Sequence, residues 1–205
     1  MQDDFLEQFG TTPIPYEVIR DKLRDYSAEA KKIHFLVKGG QLVRLKRGLY
    51  CVNPQILKRP VDSGAIANSL YDGPSYVSLE TALAHYGLIP EAVMGTSSVV
   101  TGRSRRYVTP VGWFSYKTIP ADLFGVGVRT ENGVLIASPE KALCDFLYTR
   151  PHLRITSAKT LAAYLAEDVR FDFDEFVDYD RSVFAAYAAS GYKSGLFHAA
   201  ERLFT

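Results

Sequence analysis

The feature that most constrains the fold is a short segment, residues 16–52, in which two helical patterns lead directly into a two-stranded pattern. The first helix is predicted near residues 16–24, and a connection follows at residues 25–26. Ser27 is of a residue type that commonly caps helices, so it should open the second helix, which the glycine pair at 39–40 should end. Because little chain separates these elements, they are expected to pack against one another.

The two-stranded pattern, QLVRLKRGLY, is typical of a hairpin that turns at residues 46–48. Helix, turn, helix and hairpin then follow one another in the order of a winged helix-turn-helix. We therefore predict such a domain over residues 1–56. Cations lie at and beside the turn of its hairpin: Arg44, Lys46 and Arg47. A wing tip with these side chains suits the minor groove or the phosphate backbone of DNA.

The second helix has two opposite faces when its residues are spaced at about 100° each. One sector is apolar and should pack on the preceding helix; it consists of Ile33, Leu36 and Val37. The opposite face consists of Ala28, Lys31, Phe35 and Lys38, with Lys32 at its side. This face suits a recognition helix, because lysines contact phosphates and an aromatic or small residue contacts thymine methyl groups. The alternative is a solvated amphipathic helix whose Phe35 is covered by a neighbouring domain.

Positive charge is concentrated in the same part of the chain. The whole sequence has 24 Lys and Arg against 23 Asp and Glu. Between residues 16 and 60 the balance is 11 basic against 4 acidic residues, whereas residues 61–150 contain 7 against 8. The first segment therefore suits an anionic partner, and a solvated basic face is the alternative.

A break between domains is predicted near residues 53–63, where two prolines, a basic pair and a glycine separate two patterned regions. The second domain should cover residues 62–205. Its first elements are predicted to be a helix over about 63–71 and a helix over about 78–87 that Ser78 caps.

Strand patterns follow from SSVVTG to VLIA, where Val, Tyr, Phe and Thr are frequent. At Ser138 the pattern becomes helical again, with this serine as the cap and a proline at the first helical position. The remainder is expected to be helical. The sequence thus predicts an α/β (α+β) protein: a winged helix-turn-helix followed by a mixed α/β domain with a helical C-terminal end.

Five phrases carry a family resemblance, in order through about residues 15–150: GGQLVRLKRGLYCV, YVSLETALAHYGLIPE, SVVTGRSRR, IPADLF and, most specifically, GVLIASPEKALCDFLY. They resemble the AbiEi-type antitoxins, which are bacterial transcriptional regulators of type IV toxin-antitoxin systems. The resemblance implies a repressor that binds inverted repeats in its own promoter DNA. It also implies an antitoxin that counters a co-encoded nucleotidyltransferase-like toxin of the AbiEii type. Residues 151–205 match the family less clearly.

A second group of cations, Arg103, Arg105 and Arg106, is predicted on an exposed hairpin or loop. Three arginines this close together can contact phosphate, RNA or an acidic protein surface, and a solvated turn is the alternative. In the resemblance, this region belongs to the domain associated with toxin neutralisation.

Nothing in the sequence positively supports an enzyme. Ser138 and Lys141 are close together, but their spacing is that of a helix cap, and Glu140 and Lys141 are ordinary first-turn residues. Asp145 could face a central cleft, but no second acid or base stands at a spacing that would support acid–base catalysis. The densest acidic group, within residues 172–180, is predicted to be the solvated face of an amphipathic helix, or else a docking surface for a basic partner.

Neither a metal site nor a cofactor is expected, because no zinc spacing and no phosphate-binding glycine motif is present. Cys51 and Cys144 are expected to be buried small hydrophobic residues rather than a disulfide. The acidic N-terminus lacks a secretory pattern and no apolar stretch is long enough for a membrane span, so a cytoplasmic protein is predicted. The rival functions are a winged-helix regulator whose second domain senses a ligand or a protein, without a toxin, and a DNA-targeted nuclease.

Overall fold

The computed structural model describes residues 4–90 and 95–204, which form an α/β protein with a helical C-terminal end. The strands are β1 (Ile14–Pro15), β2 (Leu42–Lys46), β3 (Leu49–Val52), β4 (Ser75–Val77), β5 (Thr96–Val100), β6 (Arg105–Thr109), β7 (Gly112–Thr118), β8 (Val128–Glu131) and β9 (Val134–Ala137). The α-helices are α1 (Tyr16–Lys22), α2 (Glu29–Lys38), α3 (Pro54–Leu57), α4 (Ser63–Leu70), α5 (Leu79–His85), α6 (Ala121–Phe124), α7 (Pro139–Thr149), α8 (Ala158–Tyr164), α9 (Arg181–Ala189) and α10 (Ser194–Leu203). A 3-10 helix (Asp4–Phe9) precedes β1, and a π-helical turn (Leu165–Val169) extends α8.

The N-terminal elements surround a small core of their own. Strands β1, β3 and β2 form an antiparallel sheet in that order, and helices α1 and α2 pack on each other beside it. The hairpin turns at Arg47 and Gly48, where Gly48 has a φ of +79° that favours glycine. The core consists of Leu6, Ile14, Ile19, Leu23, Ile33, Leu36, Leu42 and Val52. The predicted order of two helices and a hairpin is therefore present.

A six-stranded mixed sheet, in the order β6-β7-β5-β4-β9-β8, organises the rest of the chain. Two of its neighbouring pairs are parallel, β5 with β7 and β4 with β9, and the others are antiparallel. Helix α4 lies on one face, where the Tyr116 hydroxyl donates to the Ala67 carbonyl. Helices α5 and α7 pack together on the other face, where the Tyr76 hydroxyl donates to Asp145. Helix α9 packs on α7, and α10 packs on α8 and α9.

The hairpin of β2 and β3 contributes to both cores. Leu42 and Val52 belong to the N-terminal core, whereas Leu45, Leu49 and Cys51 belong to the larger core around the six-stranded sheet. The domain boundary that the sequence placed between residues 56 and 62 stays a prediction, because this hairpin is shared.

One predicted helix cap is wrong, and a second has the predicted position without the capping hydrogen bond. Helix α2 begins at Glu29, and its N-cap is Ala28 rather than Ser27, because a tight turn between Leu23 and Tyr26 delays the helix. Ser78 does precede α5, but its hydroxyl points inward and donates to Asp145 at 2.7 Å, so it cannot cap the helix. By contrast, the predicted cap at Ser138 is confirmed, since its hydroxyl accepts from the Lys141 backbone.

The acidic segment at residues 172–180 is not helical, which corrects the expectation of an amphipathic helix. The Asp172 carboxylate accepts from the backbone N–H groups of Asp174 and Glu175, and this local turn competes with helix formation. The aromatic residues between the acids instead pack into the larger core: Phe171, Phe176 and Tyr179 contact Phe204. Helix α9 starts only after Asp180, whose side chain caps it.

Candidate nucleic-acid interface

The outer face of α2 has the burial pattern that the sequence predicted. Ile33 and Leu36 are buried, whereas Lys31, Phe35 and Lys38 are exposed. The Phe35 ring is 53% exposed, so the described part of this chain does not cover it. An exposed aromatic ring between two exposed lysines is a surface that can contact both bases and phosphates.

Lys32 lies at the side of this face and is only partly exposed. Its ammonium group is 5.5 Å from the centre of the Tyr26 ring, within the range of a cation–π contact. The Tyr26 ring itself is 48% exposed and lies in the turn between α1 and α2. Lys32 is thus held against the turn, and Lys31 and Lys38 are the lysines that extend from the outer face.

The three cations at the wing tip differ in their exposure and contacts. Arg44 and Arg47 are exposed. Arg44 lies in β2, two residues before the end of the strand, and Arg47 lies in the turn. The Lys46 ammonium points back towards the larger core instead, where it donates to the Leu70 carbonyl at 2.8 Å and to the Asp72 carboxylate at 2.5 Å. Lys46 therefore fixes the position of the hairpin.

The Lys46–Asp72 pair ties the wing to the end of α4. The hydrogen bond from Lys46 holds the pKa of Asp72 below its ordinary value, and the nearby Arg105 guanidinium lowers it as well. The Asp72 side chain is largely exposed, so we treat this pair as a positional contact rather than as a large contribution to stability. Strand β2 also contacts β6 at this point. The wing thus lies beside the edge of the six-stranded sheet.

The second arginine group lies at that edge. Arg103 lies in the loop after β5, and Arg105 and Arg106 begin β6 in its hairpin with β7, so all three are exposed on a loop or hairpin as predicted. The Arg106 guanidinium stacks over the ring of Trp113, 4.6 Å from its centre. Between this hairpin and the helices lies an open groove of about 910 Å³, with Arg106, Lys117 and Arg150 along it.

Sequence reasoning missed a buried ionic network centred on α7. Lys141 and Asp145 are both fully buried, and their charged groups are 3.2 Å apart. The Lys141 ammonium also donates to the Leu123 carbonyl at 2.8 Å and to the Tyr187 hydroxyl. Burial lowers the pKa of Lys141, and the Asp145 carboxylate opposes this effect. Lys141 was expected to be an ordinary first-turn residue, and it does pair with a neighbour in its helix, but it does so in the core rather than in solvent.

The Asp145 carboxylate accepts hydrogen bonds from three hydroxyl groups as well as from Lys141. The donors are Tyr76 at 2.9 Å, Ser78 at 2.7 Å and Tyr187. The network thus joins α7 to β4, to the start of α5 and to α9. The sequence carried no signal for this burial, because Lys141 and Asp145 stand four residues apart on one polar sector of α7, as an exposed ion pair would. The network is sealed from solvent, so it has a structural role here.

Both thiols are free and buried, which confirms the prediction for Cys51 and Cys144. Within residues 4–90 and 95–204, no group of three His, Cys, Asp or Glu side chains could hold a metal ion. No helix in the same ranges is long and apolar enough to cross a membrane. In comparisons with known proteins, no family model matches this chain and no curated protein matches it significantly.

Proposed function

We propose that the protein is a DNA-binding transcriptional repressor that acts on its own promoter and serves as the antitoxin of a type IV toxin-antitoxin pair. One observation carries the DNA-binding part: the exposed Phe35 ring on α2 is flanked by exposed lysines, beside a hairpin tip with two exposed arginines. We interpret residues 1–56 as a winged helix-turn-helix on this basis. The proposal places the protein in the cytoplasm, where promoter DNA is accessible.

In this proposal α2 enters the major groove. Lys31 and Lys38 contact phosphates, and Phe35 contacts the methyl groups of thymines. Arg44 and Arg47 extend to the minor groove or the adjacent backbone. Lys46 acts through the hairpin, because its ammonium is engaged by Leu70 and Asp72. Such bracing reduces the entropy that the wing would lose on binding DNA.

The antitoxin part rests on the family resemblance of residues 15–150. It predicts that a co-encoded nucleotidyltransferase-like toxin becomes harmless when this chain is present. We propose no surface for direct contact between the two proteins, since the resemblance implies neutralisation without defining its mechanism.

The first test measures binding of the purified protein to its upstream DNA and to scrambled DNA across a salt series. The wild-type protein should prefer upstream DNA, and its affinity should fall steeply with salt. The double substitution Lys31→Ala/Lys38→Ala should make the slope of log K against log salt shallower by about two units, one for each lost phosphate contact. Arg44→Ala/Arg47→Ala should have a similar effect if both arginines contact phosphates.

The matched control is Arg154→Ala/Lys159→Ala, which removes two exposed cations from the far end of the chain, near α8. It should leave both affinity and slope unchanged. Equal binding to both DNAs, or equal losses in the helix variant and the control, would contradict the proposed DNA-binding face. Cleavage of DNA that depends on a divalent metal would instead favour the nuclease.

The second test expresses the toxin gene from the same operon with and without this chain. Growth should be rescued by the wild-type chain. The Lys31→Ala/Lys38→Ala variant should still rescue growth when its expression is driven by an unrelated promoter, since neutralisation is assigned to the second domain. Absence of a toxin gene in the operon, or failure of rescue by a folded wild-type chain, would favour the regulator that acts without a toxin.

A further inference from the structure

The edge hairpin formed by β6 and β7 has one face that the helices leave open. Its register places Arg106 opposite Ser115 and Val108 opposite Trp113, so these four residues point to the same side. On the other side of β7, Phe114 and Tyr116 are 1% exposed and face the core. On the open side, Trp113 is 43% exposed and Val108 is 77% exposed. The open side of the hairpin therefore presents two neighbouring exposed apolar side chains.

The groove next to this face is strongly positive. Its walls are the start of α5 and the end of α7, and its floor is the open face of β5 and β7. The cations whose side chains lie along it are Arg106, Lys117 and Arg150, whereas Arg105 points to the other side of the sheet together with Tyr116. The one acid among its lining residues, Glu80, is already paired with Arg150 at 2.9 Å. The groove therefore attracts an anionic ligand.

Flat stacking surfaces lie beside these charges. The exposed Arg106 guanidinium covers part of the Trp113 ring, and such an arginine plane can stack a base on its outer side. Hydroxyl groups complete the floor, with Ser97 and Ser115 hydrogen bonded to each other at 3.1 Å. Cations, a stacking platform on an open sheet and hydroxyl groups are the combination that single-stranded nucleic acids require. An acidic protein segment would use the cations but not the stacked pair.

The groove has the volume of a ligand site and is not enclosed. Its volume of about 910 Å³ lies near the upper end of the range of about 300–1,000 Å³ found for small-molecule sites. It is open along one side, so an extended chain can enter and leave it. We propose that this groove binds a short single-stranded nucleic acid, with a phosphate at Lys117 and a base stacked on Arg106 and Trp113.

The sequence contains one tryptophan, so the fluorescence of the wild-type protein reports directly on this site. The experiment titrates the full-length protein with hexamers of uridine RNA and thymidine DNA, and follows both Trp113 fluorescence and the anisotropy of a labelled strand. Base stacking should quench the tryptophan. Quenching by both strands assigns the groove to single strands in general, and quenching by one of them alone identifies RNA or DNA as its ligand.

Three variants locate the binding. Trp113→Ala should weaken binding measured by anisotropy about 5- to 100-fold, the effect of losing one stacked base, whereas Trp113→Phe should retain most of it. Lys117→Ala should weaken binding and make its salt slope shallower by about 0.7 units, the value for one phosphate of a single strand. Lys31→Ala/Lys38→Ala should bind the hexamers as the wild type does, since those lysines lie on α2. This last variant separates the groove from the proposed duplex-binding face.

The proposal is overturned if neither strand quenches the tryptophan or changes the anisotropy. It is also overturned if binding survives Trp113→Ala and Lys117→Ala but is lost in Lys31→Ala/Lys38→Ala, because the strands would then bind on α2. Competition by polyglutamate at equal charge concentration would assign the groove to acidic proteins. Quenching by uridine monophosphate with the same affinity as by the hexamer would assign it to a single nucleotide.

Discussion

Replacing Lys141 with methionine should destabilise the protein by about 3–5 kcal/mol, the usual cost of removing one partner from a buried ion pair. The structure supports a value in this range, because both charged groups are fully buried and only 3.2 Å apart. Loss of the ammonium also leaves the Leu123 carbonyl without the donor that it has at 2.8 Å. Methionine has a similar length and fills most of the space, so little of the loss should come from a cavity.

The reciprocal change, Asp145→Leu, should have a similar cost with a distinctive pH dependence. Burial already lowers the pKa of Lys141, and removal of the carboxylate takes away the charge that opposes this effect. The folded variant then binds fewer protons than the unfolded chain at every pH between the lowered pKa and the ordinary lysine value of about 10.4. Its free energy of unfolding should therefore rise with pH across that interval. Wild-type stability should rise less steeply, because Asp145 stabilises the charged form.

Urea unfolding, followed by far-UV circular dichroism and by Trp113 fluorescence at several pH values, measures both effects. The control is Lys159→Met, which removes an exposed lysine from α8 and should change the free energy of unfolding by no more than about 0.5 kcal/mol. The reasoning is refuted if Lys141→Met costs less than about 1 kcal/mol. It is equally refuted if the stability of Asp145→Leu falls, or stays constant, as the pH rises.

Two other predictions concern the thiols and the wing. Burial raises the pKa of Cys51 to about 11 and also raises the pKa of Cys144. Neither thiol should therefore react with a disulfide reagent at pH 8 until the protein is unfolded. Rapid reaction of the native protein would contradict their burial. Lys46→Met should weaken binding to upstream DNA without changing the slope of log K against log salt, because this side chain braces the hairpin against Leu70 and Asp72. A slope shallower by about one unit would mean that Lys46 contacts a phosphate directly.

The sequence was most informative where the interactions are local. The two faces of α2 follow from a helical period over ten residues, and the cap at Ser138 depends on a backbone group three residues away. The turn at Arg47 and Gly48 likewise needs only its neighbours. In each case the partners are close in the chain, so pattern and structure agree.

Prediction failed where a distant residue competed for the same side chain. Ser78 has the right place for a cap, but Asp145, 67 positions later, takes its hydroxyl. Lys141 has the spacing of a surface residue, but α9 supplies Tyr187 and covers it. Lys46 belongs to the basic hairpin in the sequence. Its ammonium group nevertheless donates to Asp72, which lies beyond the predicted domain boundary. None of these partners can be identified from a single sequence without the fold.

For the same reason, the balance of basic and acidic residues in each segment of the sequence indicated the proposed DNA-binding face but not the groove. Residues 61–150 are nearly neutral, with 7 basic and 8 acidic side chains. Three of these acids are used elsewhere, since Asp62 caps α4, Asp72 holds Lys46 and Asp145 is buried with Lys141, and Glu80 is paired with Arg150. Two of the seven cations, Arg106 and Lys117, are left along the open face of one groove. A neutral segment can thus present a strongly positive surface, because a ligand responds to the charges on one face and not to the sum over the chain.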